Sequence, residues 1–142
     1  MLTTLGLGSC VGISLFDKKT RISGMAHVML PSSKQAHDSA NIAKFADTGI
    51  IDLVNKMLAL GASRTTLIAK LAGGAQMFAF KDVSEVMRIG DRNVEAARKI
   101  LSLIKIPVVS EDVGANYGRT IELYSNDGSL MIKTIGHGSR KI

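Results

Sequence analysis

One cysteine, two prolines, no tryptophan and only 4 % aromatic residues occur in this chain of 142 residues. Each shortage excludes something. A single thiol cannot close an internal disulfide, and it disfavours a zinc site built on several Cys or His ligands. A reducing cytoplasm is the natural setting for such a chain. Scarce aromatics remove the stacking platforms that single-stranded nucleic acid needs. The net charge of +6 therefore does not predict a nucleic-acid partner, since the 18 Lys and Arg are scattered. It predicts a basic soluble surface, or attraction to an acidic protein partner. The apolar stretches are too short and too often broken by charge or glycine to span a bilayer. No secretory signal pattern opens the chain. Membrane insertion is thus not expected.

What remains has the composition of a globular protein, 46 % apolar and 21 % charged, and a length suited to one domain over residues 1–142. Val11–Phe16 alternates like a strand, and Arg21–Leu30 follows as a second. Pro31-Ser32-Ser33-Lys34 ends it, and the chain to Ser39 reads as loop. Ile42, Phe45, Ile50, Leu53, Val54, Met57 and Leu60 recur at helical spacing, so a helix is predicted over Asn41–Leu60, with Gly61 as its stop. Thr65–Leu71 reads as a third strand and ends at Ala72-Gly73-Gly74-Ala75. Asp91–Ile104 reads as a second helix. Pro107–Glu111 is a short strand. Arg119–Tyr124 and Leu130–Ile135 form a hairpin around Ser125-Asn126-Asp127-Gly128. The order ββ-α-β-α-βββ predicts a mixed α/β or α+β domain rather than a doubly wound sheet.

The chemistry-bearing residues cluster near the start. Cys10 lies in the run Gly6-Leu7-Gly8-Ser9-Cys10-Val11-Gly12, and His27 lies in the next apolar stretch. Asp17-Lys18-Lys19-Thr20 between them reads as a hairpin turn. If Phe16 pairs with Arg21 across it, Cys10 falls directly opposite His27, with Cβ atoms roughly 4.5–5.5 Å apart. A thiol is mostly protonated at neutral pH, and an imidazole at that reach activates it. The surrounding glycines open space for a ligand. Backbone N–H groups around Gly8 and Ser9 are candidate oxyanion donors. Thr3, Thr4, Ser9 and Asp17 are all candidates for the third residue that orients the imidazole, and spacing does not choose among them.

Other constellations are weaker. Gly6-x-Gly8 lacks the following helix of a dinucleotide fingerprint, and Gly73-Gly74 lacks the Lys-Ser/Thr of a phosphate loop. Gly73-Gly74 reads as a tight turn or cleft wall. Ser9 has the wrong parity to act with His27. His37 and His137 fall in polar segments, and Asp38 and Asp47 show no pairing suited to glycoside chemistry. Arg92 and Asn93 read as capping and surface charge, or as a cleft wall. Met77-Phe78-Ala79-Phe80 reads as core.

These residues stand in a longer pattern. Thr4-Leu5-Gly6-Leu7-Gly8-Ser9-Cys10, Met25-Ala26-His27-Val28-Met29-Leu30-Pro31, Lys44-Phe45-Ala46-Asp47-Thr48, Lys70–Phe78, Ile89-Gly90-Asp91-Arg92-Asn93, Ser110-Glu111-Asp112 and Gly118-Arg119 occur in order. Together they resemble the CheD family of chemoreceptor glutamine deamidases over nearly the whole chain. The resemblance implies Cys10 as nucleophile, His27 as general base and Thr4 as the third active-site residue. It implies mixed sheets packed together with two main helices outside, as in toxin-type cysteine deamidases.

The implied reaction converts a receptor glutamine to glutamate with no metal or cofactor, and the same chemistry suits a glutamate methyl ester. The implied partners are the cytoplasmic helices of chemoreceptors and a CheC-type phosphatase. Stimulating that phosphatase, as an adaptor, is the alternative main role. A cysteine hydrolase of small amides is the reading that needs no resemblance. Family members usually carry a further strand or so before the Thr4 segment, whereas this sequence starts almost at it. Val113-Gly114-Ala115 carries one glycine where the family often has a pair.

Overall fold

In the computed structural model, which describes residues 1–33, 41–76 and 88–142, every residue of the strand β2 (Val11–Asp17) is buried. A strand alternating apolar with small or polar residues usually has one wet face. Here both faces are covered. Val11, Ile13 and Leu15 face a helix layer, and Gly12, Ser14 and Phe16 face a second sheet.

β2 sits inside a four-stranded sheet, between β3 (Ser23–Val28) and β4 (Leu67–Gly73), with β5 (Val108–Val113) beyond β4. β2 runs antiparallel to both neighbours, and β5 runs parallel to β4. Parallel neighbours need a crossover. The helix α2 (Ile89–Leu103) supplies it, and α1 (Ala46–Ala59) joins β3 to β4. Both helices cover one face of the sheet. Ile50, Val54 and Met57 of α1, and Val94, Ala97 and Leu101 of α2, pack on Val11, Ile13, Leu15, Ala69 and Leu71. Each of the larger aliphatic side chains contributes about 1.5–3 kcal/mol by leaving water, and each alanine less.

The second sheet is wholly antiparallel, with β1 (Leu2–Leu7) at one edge, then β6 (Arg119–Leu123), β7 (Leu130–Thr134) and β8 (Gly138–Lys141). Leu7, Ala72, Ile121, Leu123, Leu130 and Ile132 form a separate apolar cluster between the sheets. The layers are therefore helices, sheet, sheet. This is the mixed α+β architecture expected from the order of elements.

The structure corrects several details. The β2–β3 turn is displaced by one residue on each side. Asp17 N–H donates to Ile22 O and Arg21 N–H to Asp17 O, and the loop closes through Arg21 at φ 63°. Phe16 thus faces Ser23 rather than Arg21, and Gly12 rather than Cys10 faces His27. The left-handed residue is an arginine, so no Asn-Gly or Asp-Gly signal marks the turn.

The helix expected from Asn41 begins only at Ala46. Ile42–Lys44 is a single 3-10 turn, and the extended Phe45 bridges to Leu30 with its ring fully buried. Conversely, α2 begins two residues before Asp91. β1 and β8 carry no usable alternation. β1 is mostly exposed and broken by a bulge beyond Thr4, and β8 is exposed throughout. His37, Asp38 and the Met77–Phe80 stretch lie outside the described residues.

Candidate active site

The site forms where the edges of the two sheets meet. β3 is an edge of one sheet and β1 an edge of the other. Thr4 of β1 and His27 of β3 join across this seam through a hydrogen bond of 2.8 Å between Thr4 Oγ1 and His27 Nδ1. Gly12, directly opposite His27, makes the approach possible. A Cβ there would lie 2.5 Å from Ile121 Cδ1 and 3.1 Å from Leu7 Cδ1.

Cys10 occupies the bend between β1 and β2. It is half-buried against the inter-sheet cluster, which also holds Met25. Cys10 and His27 therefore share the inter-sheet face, as expected. They stand one pair step apart instead of directly opposed. A register shift of two residues preserves the face, whereas a shift of one would have reversed it. Among the described residues, no hydrogen bond joins them in this resting arrangement.

The loop that carries the thiol is held by its carbonyls. Ala75 N–H donates to Gly8 O and Gly74 N–H to Cys10 O, both at 2.8 Å. Asn93 Nδ2 donates to Ser9 O, and to Met29 O just past β3, both at 3.0 Å. Gly73, at φ 105°, has no room for a side chain, since its Cβ would stand 2.3 Å from Cys10 O. Gly73-Gly74 is therefore a cradle for the thiol loop rather than an open cleft wall. Asn93 is neither cap nor surface residue. It is fully buried in the second turn of α2, and its neighbour Arg92 is half-buried.

Burial shifts both titratable groups toward their neutral forms. It pushes the Cys10 thiol up, opposed in part by its own backbone N–H lying against the sulfur. It pushes the His27 imidazole down. The resting pair at neutral pH is a thiol and a neutral imidazole. With Thr4 Oγ1 accepting from Nδ1–H, Nε2 keeps its lone pair and can take a proton. The opposite sense would leave Nε2 protonated and useless as a base.

A groove of about 360 Å³ opens beside His27, lined by Met25, Met29, Lys44 and Leu53 among others. Sequence reasoning missed three supports of the site. Gly12, read from the sequence as space for a ligand, instead admits Ile121 and Leu7 of the second sheet, a role with no local signal. Gly90 lets α2 touch the Gly74-Ala75 backbone, where a Cβ would lie 2.6 Å from both carbonyl oxygens. Arg119 is buried, donates to Asp112 Oδ1 at 3.0 Å and to Gly114 O at 3.0 Å, and ties β6 to β5.

Comparison with known proteins decides the family. The model described as CheD chemotactic sensory transduction matches residues 29–134. The chain belongs to the CheD family. A CheD relative from Caldanaerobacter subterraneus is 56 % identical over 100 % of this chain and 88 % of its own length. One from Lachnoclostridium phytofermentans is 54 % identical over 99 % of this chain and 88 % of its own. One from Syntrophomonas wolfei is 50 % identical with the same coverage. Each of these CheD proteins is described as a probable chemoreceptor glutamine deamidase. The CheD family match begins beyond Thr4, Cys10 and His27, while the full-length similarities span all three.

Proposed function

We propose that this chain hydrolyses the side-chain amide of glutamines on chemoreceptor helices, with Cys10 as nucleophile, His27 as general base and Thr4 orienting the imidazole. The observation that carries this reading is the Thr4–His27 hydrogen bond beside the Cys10 loop, in a family whose relatives are described as chemoreceptor glutamine deamidases. His27 Nε2 takes the thiol proton as Sγ attacks the carboxamide carbon. The carbonyl oxygen becomes an oxyanion, met by Cys10 N–H. The C–N bond then breaks, and the imidazolium gives its proton to the departing ammonia. Water, deprotonated by His27, attacks the thioester and restores the thiol, leaving glutamate. A glutamate methyl ester would follow the same path, with methanol departing.

A glutamine on the surface of a helix requires a shallow, open site, and the seam between two sheet edges is one. This reading puts the protein in the cytoplasm, where receptor signalling helices lie. Among the described residues no helix is long and apolar enough to cross a membrane. The deciding experiment is ammonia release from a chemoreceptor cytoplasmic fragment by wild type and Cys10→Ala. Release confined to wild type supports the reading, and equal release overturns the nucleophile. Comparable turnover of free glutamine would favour the small-amide hydrolase. Stimulation of a CheC-type phosphatase, implied by the family resemblance, should survive in Cys10→Ala if the two roles are separate.

A further inference from the structure

A fully buried position on α2 among Val94, Ala97 and Leu101 would ordinarily hold an apolar residue. Asn93 occupies it, with Oδ1 buried and without a partner. An orphaned acceptor costs about 1–3 kcal/mol and calls for a reason. The reason lies in the other half of the amide. Both Nδ2 protons are used, one on Ser9 O and one on Met29 O. The assignment of nitrogen and oxygen is fixed by these partners, since an oxygen facing two carbonyls would be repelled.

Ser9 O belongs to the peptide unit that ends in Cys10 N–H. In a trans peptide the C=O and N–H point in opposite directions, and the described chain has no cis bond. Holding Ser9 O against α2 therefore turns Cys10 N–H away from α2, toward the thiol's own side. The second proton reaches the residue just after β3, two positions from His27, so one amide spans the loop of the nucleophile and the strand of the base.

We infer that Asn93 is a positioning residue for catalysis: by holding Ser9 O, it aims Cys10 N–H at the oxyanion. This rests on the proposed Cys10 chemistry.

The test uses Asn93→Ala and the near-isosteric Asn93→Asp, with ammonia release from a chemoreceptor cytoplasmic fragment and alkylation of Cys10 by iodoacetamide. Loss of an oxyanion donor costs roughly a hundredfold or more in kcat. We expect kcat to fall by about that factor, with KM within about threefold. Alkylation displaces iodide and builds no oxyanion, so its rate should stay within about threefold of wild type. If kcat holds, or if alkylation falls with it, the positioning role is overturned. Failure of both variants to fold also overturns it, because the clamp then serves the fold alone. Cys10→Ala run in parallel separates the two ideas, since undiminished ammonia release there removes the nucleophile itself rather than its support.

Discussion

At the scale of single residues, the thiol loop and His27 are placed by hydrogen bonds that end on backbone carbonyls and one hydroxyl. Thr4 is the simplest to test. Thr4→Val removes the acceptor for Nδ1–H while keeping the shape, and kcat on a receptor fragment should fall about tenfold or more. Thr4→Ser should recover most of it. The pH profile follows from burial. His27 is pushed below the ordinary imidazole value of about 6.5, so it stays neutral to lower pH. The acid limb of kcat/KM should therefore lie below about pH 6.5. A limb at or above that value would show that burial does not depress His27. Cys10 and His27 were legible in the sequence as a pair on one face. Their exact pairing was not, because a turn closed by Arg21 at positive φ looks like any polar tetrapeptide.

At the scale of elements, glycines decide how closely the pieces approach. Gly73→Ala would put a Cβ against Cys10 O in a conformation that side chains resist. It should cost about 1–3 kcal/mol in denaturant unfolding. It should also lower kcat, because the same backbone holds Gly8 O and Cys10 O. Asp17 does comparable work at the β2–β3 turn. Burial raises its carboxyl, but hydrogen bonds from Thr66 Oγ1, Ser63 N–H, Lys19 N–H and Thr20 Oγ1 outweigh that and hold it well below the ordinary carboxylate range. A carboxyl depressed in the folded state contributes stability above its unfolded value of about 3.9 and loses it as pH falls toward the folded value. Asp17→Ala should cost about 2–4 kcal/mol at pH 7. The gap from wild type should narrow in acid. The central strands and both helices were legible because their faces are buried and periodic. β1, β8 and the Phe45 break were not, since exposed edges and a single extended residue leave no period to read.

At the scale of the whole molecule, the site exists only because two sheets are stacked. Arg119 helps hold them, bonded to Asp112 and to the carbonyls of Gly73 and Gly114. Arg119→Met should lower stability by about 3 kcal/mol, since it breaks a buried ion pair and strands the carbonyls it served. The net charge of +6 acts at the same scale. If the substrate is an acidic receptor, kcat/KM should fall as salt shortens the Debye length from about 10 Å at 0.1 M toward a few ångströms, with kcat unchanged. A flat salt response would remove steering from the account.

The sequence by itself determined the strand and helix order of the core, the mixed α+β class, and the shared face of Cys10 and His27. These are local matters of period and parity, and parity survives a register error of two. Tertiary structure alone decided which residue stands opposite His27, that Thr4 reaches it from another sheet, and that Asn93 is buried as a clamp. Those contacts join segments far apart in the chain. They depend on where the backbone turns and how closely glycines let it pack, and neither is written in the period of any one segment.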